Sequence, residues 1–336
     1  MRISLSYSLM LLAIALFAPM EISQAQNNEL VEIASGVFLR PGIQEEFSRE
    51  NRGHIANIGF IVGDQRVAVI DTGSSYREGL ELRKKIAEIT ALPIGYVIIT
   101  HMHPDHALGA AAFSQDNPVY IGHEELADAL ARRQQTYLQS MREILGSEET
   151  EGTRMVFPTN DVAIGQALEL DLGGRLLKLQ AYPTAHTNND LTVFDERTGT
   201  LWLSDLLFVE RIPVMDGSLR GWLQVIDDLS KQRCLTKQAD SGVDAEENAN
   251  SEASCVPIQR VVPGHGPVVS HWQEALADEH RYLENTANGI RKIIKDGGSI
   301  TEAVDNVARE ERDKWLLFDQ YHGRNVTAGF AELEWE

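Results

Sequence analysis

The stretch Tyr96-Val97-Ile98-Ile99-Thr100 runs without a break into His101-Met102-His103-Pro104-Asp105-His106. A short apolar run of this kind reads as a strand buried on both faces of a sheet. Ionisable side chains crowded at its end must therefore open onto a cleft. In open α/β sheets ligands gather at the carboxyl ends of strands. Two histidines at i and i+2 would splay apart on a helix. On a loop leaving a strand, His101 and His103 can converge on one point while Asp105 and His106 turn toward a second. The small residues Ala107 to Ala112 then read as the start of a helix.

The rest of the chain fits α/β order. Val31 to Leu39 reads as a strand, and Ile58 to Ile70 as a hairpin turning at Gly63-Asp64-Gln65. Tyr76 to Ala91 has helical periodicity and is stopped by Pro93. Val119 to Gly122 is a strand, and Glu124 to Leu145 a long helix whose Arg and Gln residues form a solvated face. Strands follow at Leu168 to Leu172, Leu176 to Tyr182, Leu191 to Phe194 and Thr200 to Leu203, with His186 and Asp205 in loops just off them. Asp195 reads as an exposed turn acid. Gly221 to Leu229 is helical, Arg260 to Val262 a strand leading into Pro263-Gly264-His265-Gly266, and Trp272 to Lys295 and Ile300 to Trp315 are helices.

With 336 residues, 43% of them hydrophobic, the chain can bury one large core. Acids outnumber bases by 50 to 30, and a net charge of -20 repels phosphate backbones and anionic headgroups, which disfavours nucleic-acid partners. Arg2, the apolar stretch Leu9 to Pro19 and Ser23-Gln24-Ala25 read as a signal peptide over residues 1–25, cleaved after Ala25. No other segment is apolar enough for a span of about 20 residues. The expectation is a periplasmic or secreted protein with no stable membrane insertion after cleavage. Cys234 and Cys255 bracket an acidic insertion at 236–254 and are expected to pair as a disulfide in an oxidising compartment. The remaining division is a catalytic domain over 26–271 and a helical extension over 272–336 packed on it.

Zinc prefers imidazole nitrogen and carboxylate oxygen, and a catalytic site keeps a coordination position open. His101-Met102-His103-Pro104-Asp105-His106, with His186, Asp205 and His265 at later strand ends, resembles the HxHxDH pattern of the metallo-β-lactamase superfamily. That resemblance implies an α/β fold, the αββα four-layer sandwich. It implies two Zn2+ ions: one held by His101, His103 and His186, the other by Asp105, His106 and His265, with Asp205 bridging. Iron and manganese are the other metals such a set accepts. The implied nucleophile is a hydroxide between the ions, oriented by Asp105 as catalytic residue. Asp71 would fix a ligand imidazole through its other N–H, with Thr187 and Asp190 also behind the ligands.

His123, His271, His280 and His322 stand outside the pattern and read as ordinary surface or cap residues. His54, near the hairpin that flanks the cleft in this fold, and Phe208 and Arg211, just after Asp205, are candidate substrate contacts. The best-known zinc β-lactamases lack the bridging carboxylate, and flavodiiron oxygen reductases typically carry Glu at the position of His103. The basic thioester-binding residues of glyoxalase-type enzymes are not identifiable beyond Trp272. The runs Ala185 to Phe194, Ser204 to Pro213 and Asp216 to Trp222 resemble the quinoprotein relay system zinc metallohydrolases, implying association with a quinoprotein dehydrogenase system. The expected activity is hydrolysis of a small-molecule ester, thioester, lactone or amide. A non-hydrolytic metal-binding accessory protein for quinone-cofactor maturation and a mononuclear iron persulfide dioxygenase are the alternatives.

Overall fold

The computed structural model describes residues 29–232, 234–236 and 255–336. The expected signal segment and nearly all of the acidic insertion lie outside them. Two sheets face each other. The first runs β1 (Val31–Ala34), β2 (Val37–Arg40), β3 (Ile58–Val62), β4 (Val67–Ile70), β5 (Ile94–Ile98), β6 (Val119–His123) and β7 (Asn160–Val162), in that spatial order. The second contains β8 (Leu168–Asp171), β9 (Leu176–Ala181), β10 (Leu191–Asp195), β11 (Thr200–Phe208) and β14 (Arg260–His265), ordered β14-β11-β10-β9-β8. The short strands β12 (Cys234–Thr236) and β13 (Cys255–Pro257) pair separately.

Alternation along the strands builds the layers. Ala68, Ile70 and Ile98 of the first sheet meet Leu177, Leu179, Val193 and Trp202 of the second between the sheets. The intervening Val67, Val69 and Val97 face outward onto Leu82 and Ile86 of α1 (Tyr76–Ile89) and Leu126 and Leu130 of α3 (Leu126–Leu145). On the other sheet, Leu201 and Leu203 turn outward onto Trp222 of α4 (Leu219–Lys231), Leu276 and Leu283 of α5 (Trp272–Lys295) and Val326 of α7 (Phe318–Leu333). A period of two thus divides each strand between two cores. The result is helix, sheet, sheet, helix. Each buried leucine or isoleucine of this kind contributes about 1.5–3 kcal/mol.

Several local expectations need correction. Val31 to Leu39 is a hairpin, because Gly36, at a φ of 68°, turns the chain between β1 and β2. The helix expected over Ile300 to Trp315 is broken: α6 (Ile300–Asn306) stops short, Ala308 takes a left-handed φ of 46°, and a 3-10 turn follows over Arg309–Lys314. Asp195 is fully buried, not exposed; it receives Arg175 Nε at 2.9 Å and Nη2 at 2.6 Å. His123 and His322 are also buried, each bridging two segments. His123 Nε2 donates to the Tyr182 carbonyl at 3.0 Å, and His322 Nε2 to that of Val307 at 2.8 Å. A lone polar residue that ties loops together looks in sequence like a surface residue.

Cys234 and Cys255 form a disulfide across β12 and β13, with Cα atoms 5.6 Å apart. Among the described residues no helix is long and apolar enough to cross a membrane.

Candidate metal centre

The centre lies where the two sheets open at one edge. β5 delivers Thr100 and His101, and the short helix α2 (Pro104–Ala107) presents Asp105 and His106 from its first turn. The loop after β9 carries His186. Asp205 sits inside β11, which runs five residues past the expected end at Leu203. Ser204 there has a φ of 49°, and the pairing with β14 slips on both sides of it. This bulge turns Asp205 out of the ladder and into the cleft. His265 ends β14, directly beside β11.

Donor atoms fall into two groups, each within 4.8 Å: His101, His103, His186 and Asp205, and Asp105, His106 and His265. In the first, His103 Nδ1 lies 3.2 Å from His101 Nε2 and 3.0 Å from His186 Nε2. Nitrogens at the corners of a tetrahedron around zinc are about 3.3 Å apart. Asp205 joins the groups, with Oδ2 at 3.2 Å from His186 Nε2 and Oδ1 at 3.1 Å from His106 Nε2. Those last two atoms are buried, yet neither makes a hydrogen bond. A buried donor set left unsatisfied in this way fits a cation between its members.

Four of the five outer nitrogens are held by other groups, and the fifth, His186 Nδ1, is buried without a hydrogen-bond partner. His106 Nδ1 donates to Asp71 Oδ2 at 2.8 Å, and the same carboxylate accepts the Thr100 N–H and hydroxyl, each at 2.8 Å. His101 Nδ1 rests on Thr100 Oγ1 at 3.1 Å. His265 Nδ1 donates to the Ile55 carbonyl at 2.8 Å, and His103 Nε2 to Asp216 at 3.2 Å. These contacts select the tautomers that point a lone pair inward. Asp190 accepts the Thr187 N–H at 2.9 Å and hydroxyl at 2.6 Å, closing the loop that carries His186. Burial pushes Asp190 up to about 6.

Charge follows the same logic. Burial acts to lower His106, but Asp205, Asp71 and Asp105 overcome it and hold the ring well above its ordinary value. Burial acts to raise Asp205, and His106, His265, His101 and His186 pull it well below the carboxylate range. Carboxylates clustered in a buried site call for positive charge, which protons or cations can supply.

Gly264 makes the close approach possible. A Cβ there would lie 1.7 Å from Asp205 Oδ1. Asn57 holds the same turn, its Nδ2 donating to the Pro263 and Gly266 carbonyls at 2.8 Å each.

The description "Metallo-beta-lactamase superfamily" matches residues 51–265. The chain belongs to the metallo-beta-lactamase superfamily. A metallo-beta-lactamase family protein from Thermus thermophilus has a similar fold, with a TM-score of 0.60 at 17% identity, over 90% of this chain and 94% of that one. A metallo-beta-lactamase from Pontibacter korlensis aligns with a TM-score of 0.56 at 18% identity, over 76% of this chain and 99% of its own. The metallo-beta-lactamase FIM-1 from Pseudomonas aeruginosa, in a mono-zinc form, gives 0.53 at 16% identity, over 75% and 94%. A search of the curated proteins finds no match.

In this superfamily member the centre opens into a cleft of about 440 Å³, lined by His103, Asp105, Asp205 and His265 at its floor. Phe208 and Arg211 line it as well. His54 does not; it is buried behind the cleft with Nε2 at 3.8 Å from Glu81, and burial together with Arg40 and Arg52 lowers it to about 3. Sequence reasoning missed Arg133 and Tyr137 on α3 and Tyr321 and Arg324 on α7, which complete the walls. Arg133 and Tyr137 fall within a helix read as a solvated face, and Tyr321 and Arg324 lie in a segment to which the sequence reading assigns no element and which folds as α7. Arg133 also reaches Asp216 at 3.0 Å, supporting the residue that orients His103.

Proposed function

We propose that this protein is an exported dinuclear zinc hydrolase of a small ester, thioester, lactone or amide. The observation that carries the reading is Asp205, one oxygen turned to His186 and the other to His106. A single carboxylate placed between two donor sets suits a pair of cations. His101, His103 and His186 would hold one, and Asp105, His106 and His265 the other. Such a pair supplies a water acidic enough to attack near neutral pH and positive charge facing the developing oxyanion. Asp105 stands at the cleft floor, where it can orient that water. Phe208 stacks on His265 at 5.1 Å and tilts against His186 at 5.6 Å, so one apolar ring braces imidazoles of both sets and excludes water behind them.

The disulfide supports export to an oxidising compartment. The sequence resemblance to quinoprotein relay system metallohydrolases supports association with a quinoprotein dehydrogenase system. Elemental analysis with an ester, thioester and lactone panel tests the reading. About two zinc ions per chain and chelator-sensitive turnover are expected. Asp205→Asn should lose at least one ion and about a hundredfold in turnover. Stoichiometric iron with oxygen consumption, or full turnover after metal removal, overturns the proposal.

A further inference from the structure

Two guanidinium groups converge on the α7 wall of the cleft, and among the described residues neither forms an ion pair. Arg211 is buried, 3% exposed, with Nε lacking any hydrogen-bond partner. Its other contacts are to uncharged groups: the Glu45 carbonyl at 3.3 Å, the Tyr321 hydroxyl at 3.5 Å, and His265 Nδ1 at 3.1 Å, whose proton is directed to Ile55. Arg324 is exposed at the rim. Both lie over one ring, with the Arg211 and Arg324 guanidinium carbons 5.5 Å and 5.8 Å from the Tyr321 centroid.

Burying an arginine without a counter-charge is costly, and placing a second cation on the same ring adds repulsion. Elsewhere this acidic chain pairs its buried arginines: Arg40 with Glu78 and Arg175 with Asp195. The cleft's own acids are already engaged. Asp105 and Asp205 belong to the donor sets, and Asp216 takes His103 and Arg133. Only Glu46, exposed at the rim, faces the pair without such a role.

We infer that Arg211 and Arg324, braced by Tyr321, form an oxyanion-recognition site, so the substrate carries a carboxylate or phosphate beside its scissile bond. This rests on the hydrolase reading for the scissile bond and names the substrate class for it. The planar guanidinium fork matches either oxyanion in two parallel hydrogen bonds. Arg211 meets the His265 ring at Nδ1, across the ring from the Nε2 that faces Asp105 and Asp205, so the width of one imidazole separates the anion site from the donor cluster. Phe47, Tyr137 and Met215 along the same cleft accept an apolar body.

The test uses the metal-loaded full chain and Arg324→Gln, a rim substitution that leaves the core intact. Calorimetry with phthalate should show Kd weakened about tenfold in the variant and weakened in the parent by added salt. Equal binding by both proteins means that phthalate sits on the metals alone, and overturns the site. With matched esters bearing a neutral, a carboxylate or a phosphate tail, the ratio of anionic to neutral kcat/KM should fall about tenfold in Arg324→Gln. Whichever anionic tail gives the larger fall identifies the oxyanion. An unchanged ratio for both tails overturns the proposal. Glu46→Gln should shift phthalate affinity the opposite way. If no ester is hydrolysed but phthalate binding depends on Arg324, the hydrolase reading fails and the anion site stands.

Discussion

Asp71→Asn isolates the carboxylate that stands behind His106. Asp71 has a left-handed φ of 55°, a conformation that asparagine also tolerates, so the substitution removes charge without imposing new backbone strain. The aspartate accepts three hydrogen bonds at 2.8 Å: the Thr100 N–H on Oδ1, and the Thr100 hydroxyl and His106 Nδ1–H on Oδ2. An amide offers one acceptor. If its oxygen takes the Oδ2 place, its NH2 meets the Thr100 N–H, donor against donor. In the other orientation both the hydroxyl and the imidazole lose their acceptor. With hydrogen bonds to charged groups contributing about 1.5–3 kcal/mol each, metal-free Asp71→Asn should unfold about 2–4 kcal/mol more easily. Loss of the outer hydrogen bond should also weaken the His106 cation site about 10–100-fold. Urea unfolding of chelator-stripped protein reads the first effect, and metal titration against a competing chelator reads the second. A variant within about 0.5 kcal/mol of the parent that keeps its metal affinity within about twofold would refute the reasoning.

Gly264→Ala should displace Asp205, since its Cβ would stand 1.7 Å from Oδ1, and the expected outcome by elemental analysis is loss of at least one metal equivalent. Asp195→Asn should destabilise the fold by about 3–5 kcal/mol in urea by stranding the buried Arg175, while metal content stays near that of the parent. Cys234→Ser should lower stability by about 3 kcal/mol, from releasing a closure across 21 positions, and remove the mass change on reduction. His54 provides a pH test: burial, then Arg40 and Arg52, lower it to about 3, below its ordinary 6.5, so the unfolded chain binds the extra proton between those values. Its contribution is complete above pH ~6.5 and is lost as pH falls toward ~3; His54→Gln should flatten the parent's decline between pH 7 and pH 4.5 by about 2–3 kcal/mol in urea unfolding.

The layered architecture was legible because each layer leaves a periodic trace. Tyr96 to Ile99 alternates between two apolar cores and reads as a doubly buried strand, and Val67 to Ile70, read as one arm of a hairpin, alternates in the same way. The ligand candidates were legible because polar groups cluster at the ends of such runs in the order of the HxHxDH pattern that they resemble. What sequence could not convey were features set by a distant neighbour. Asp195 is an ordinary turn acid until Arg175 arrives from the turn that precedes β9. His322 and His123 look like surface residues until buried carbonyls appear beside them. Arg133 sits among other arginines on α3 and Arg324 is the single Lys or Arg of α7, and only the packing of the two helices around the cleft sets them apart. The extra length of β11 was missed because its bulge at Ser204 interrupts the alternation that marks a strand.

The donors come from both sheets: His101 leaves β5 in the first, while Asp205 and His265 belong to β11 and β14 in the second. A cation bound there is a clasp across the open edge of the sandwich. Any separation of the sheets at that edge must break its coordination, and free metal stabilises the closed form by mass action, about 2.7 kcal/mol at a hundred times its Kd. Amide exchange at the clasped ends of β5 and β11 should therefore slow with metal concentration while the opposite ends of the same strands change little, making the mobility of this fold a property of the metal supply around it.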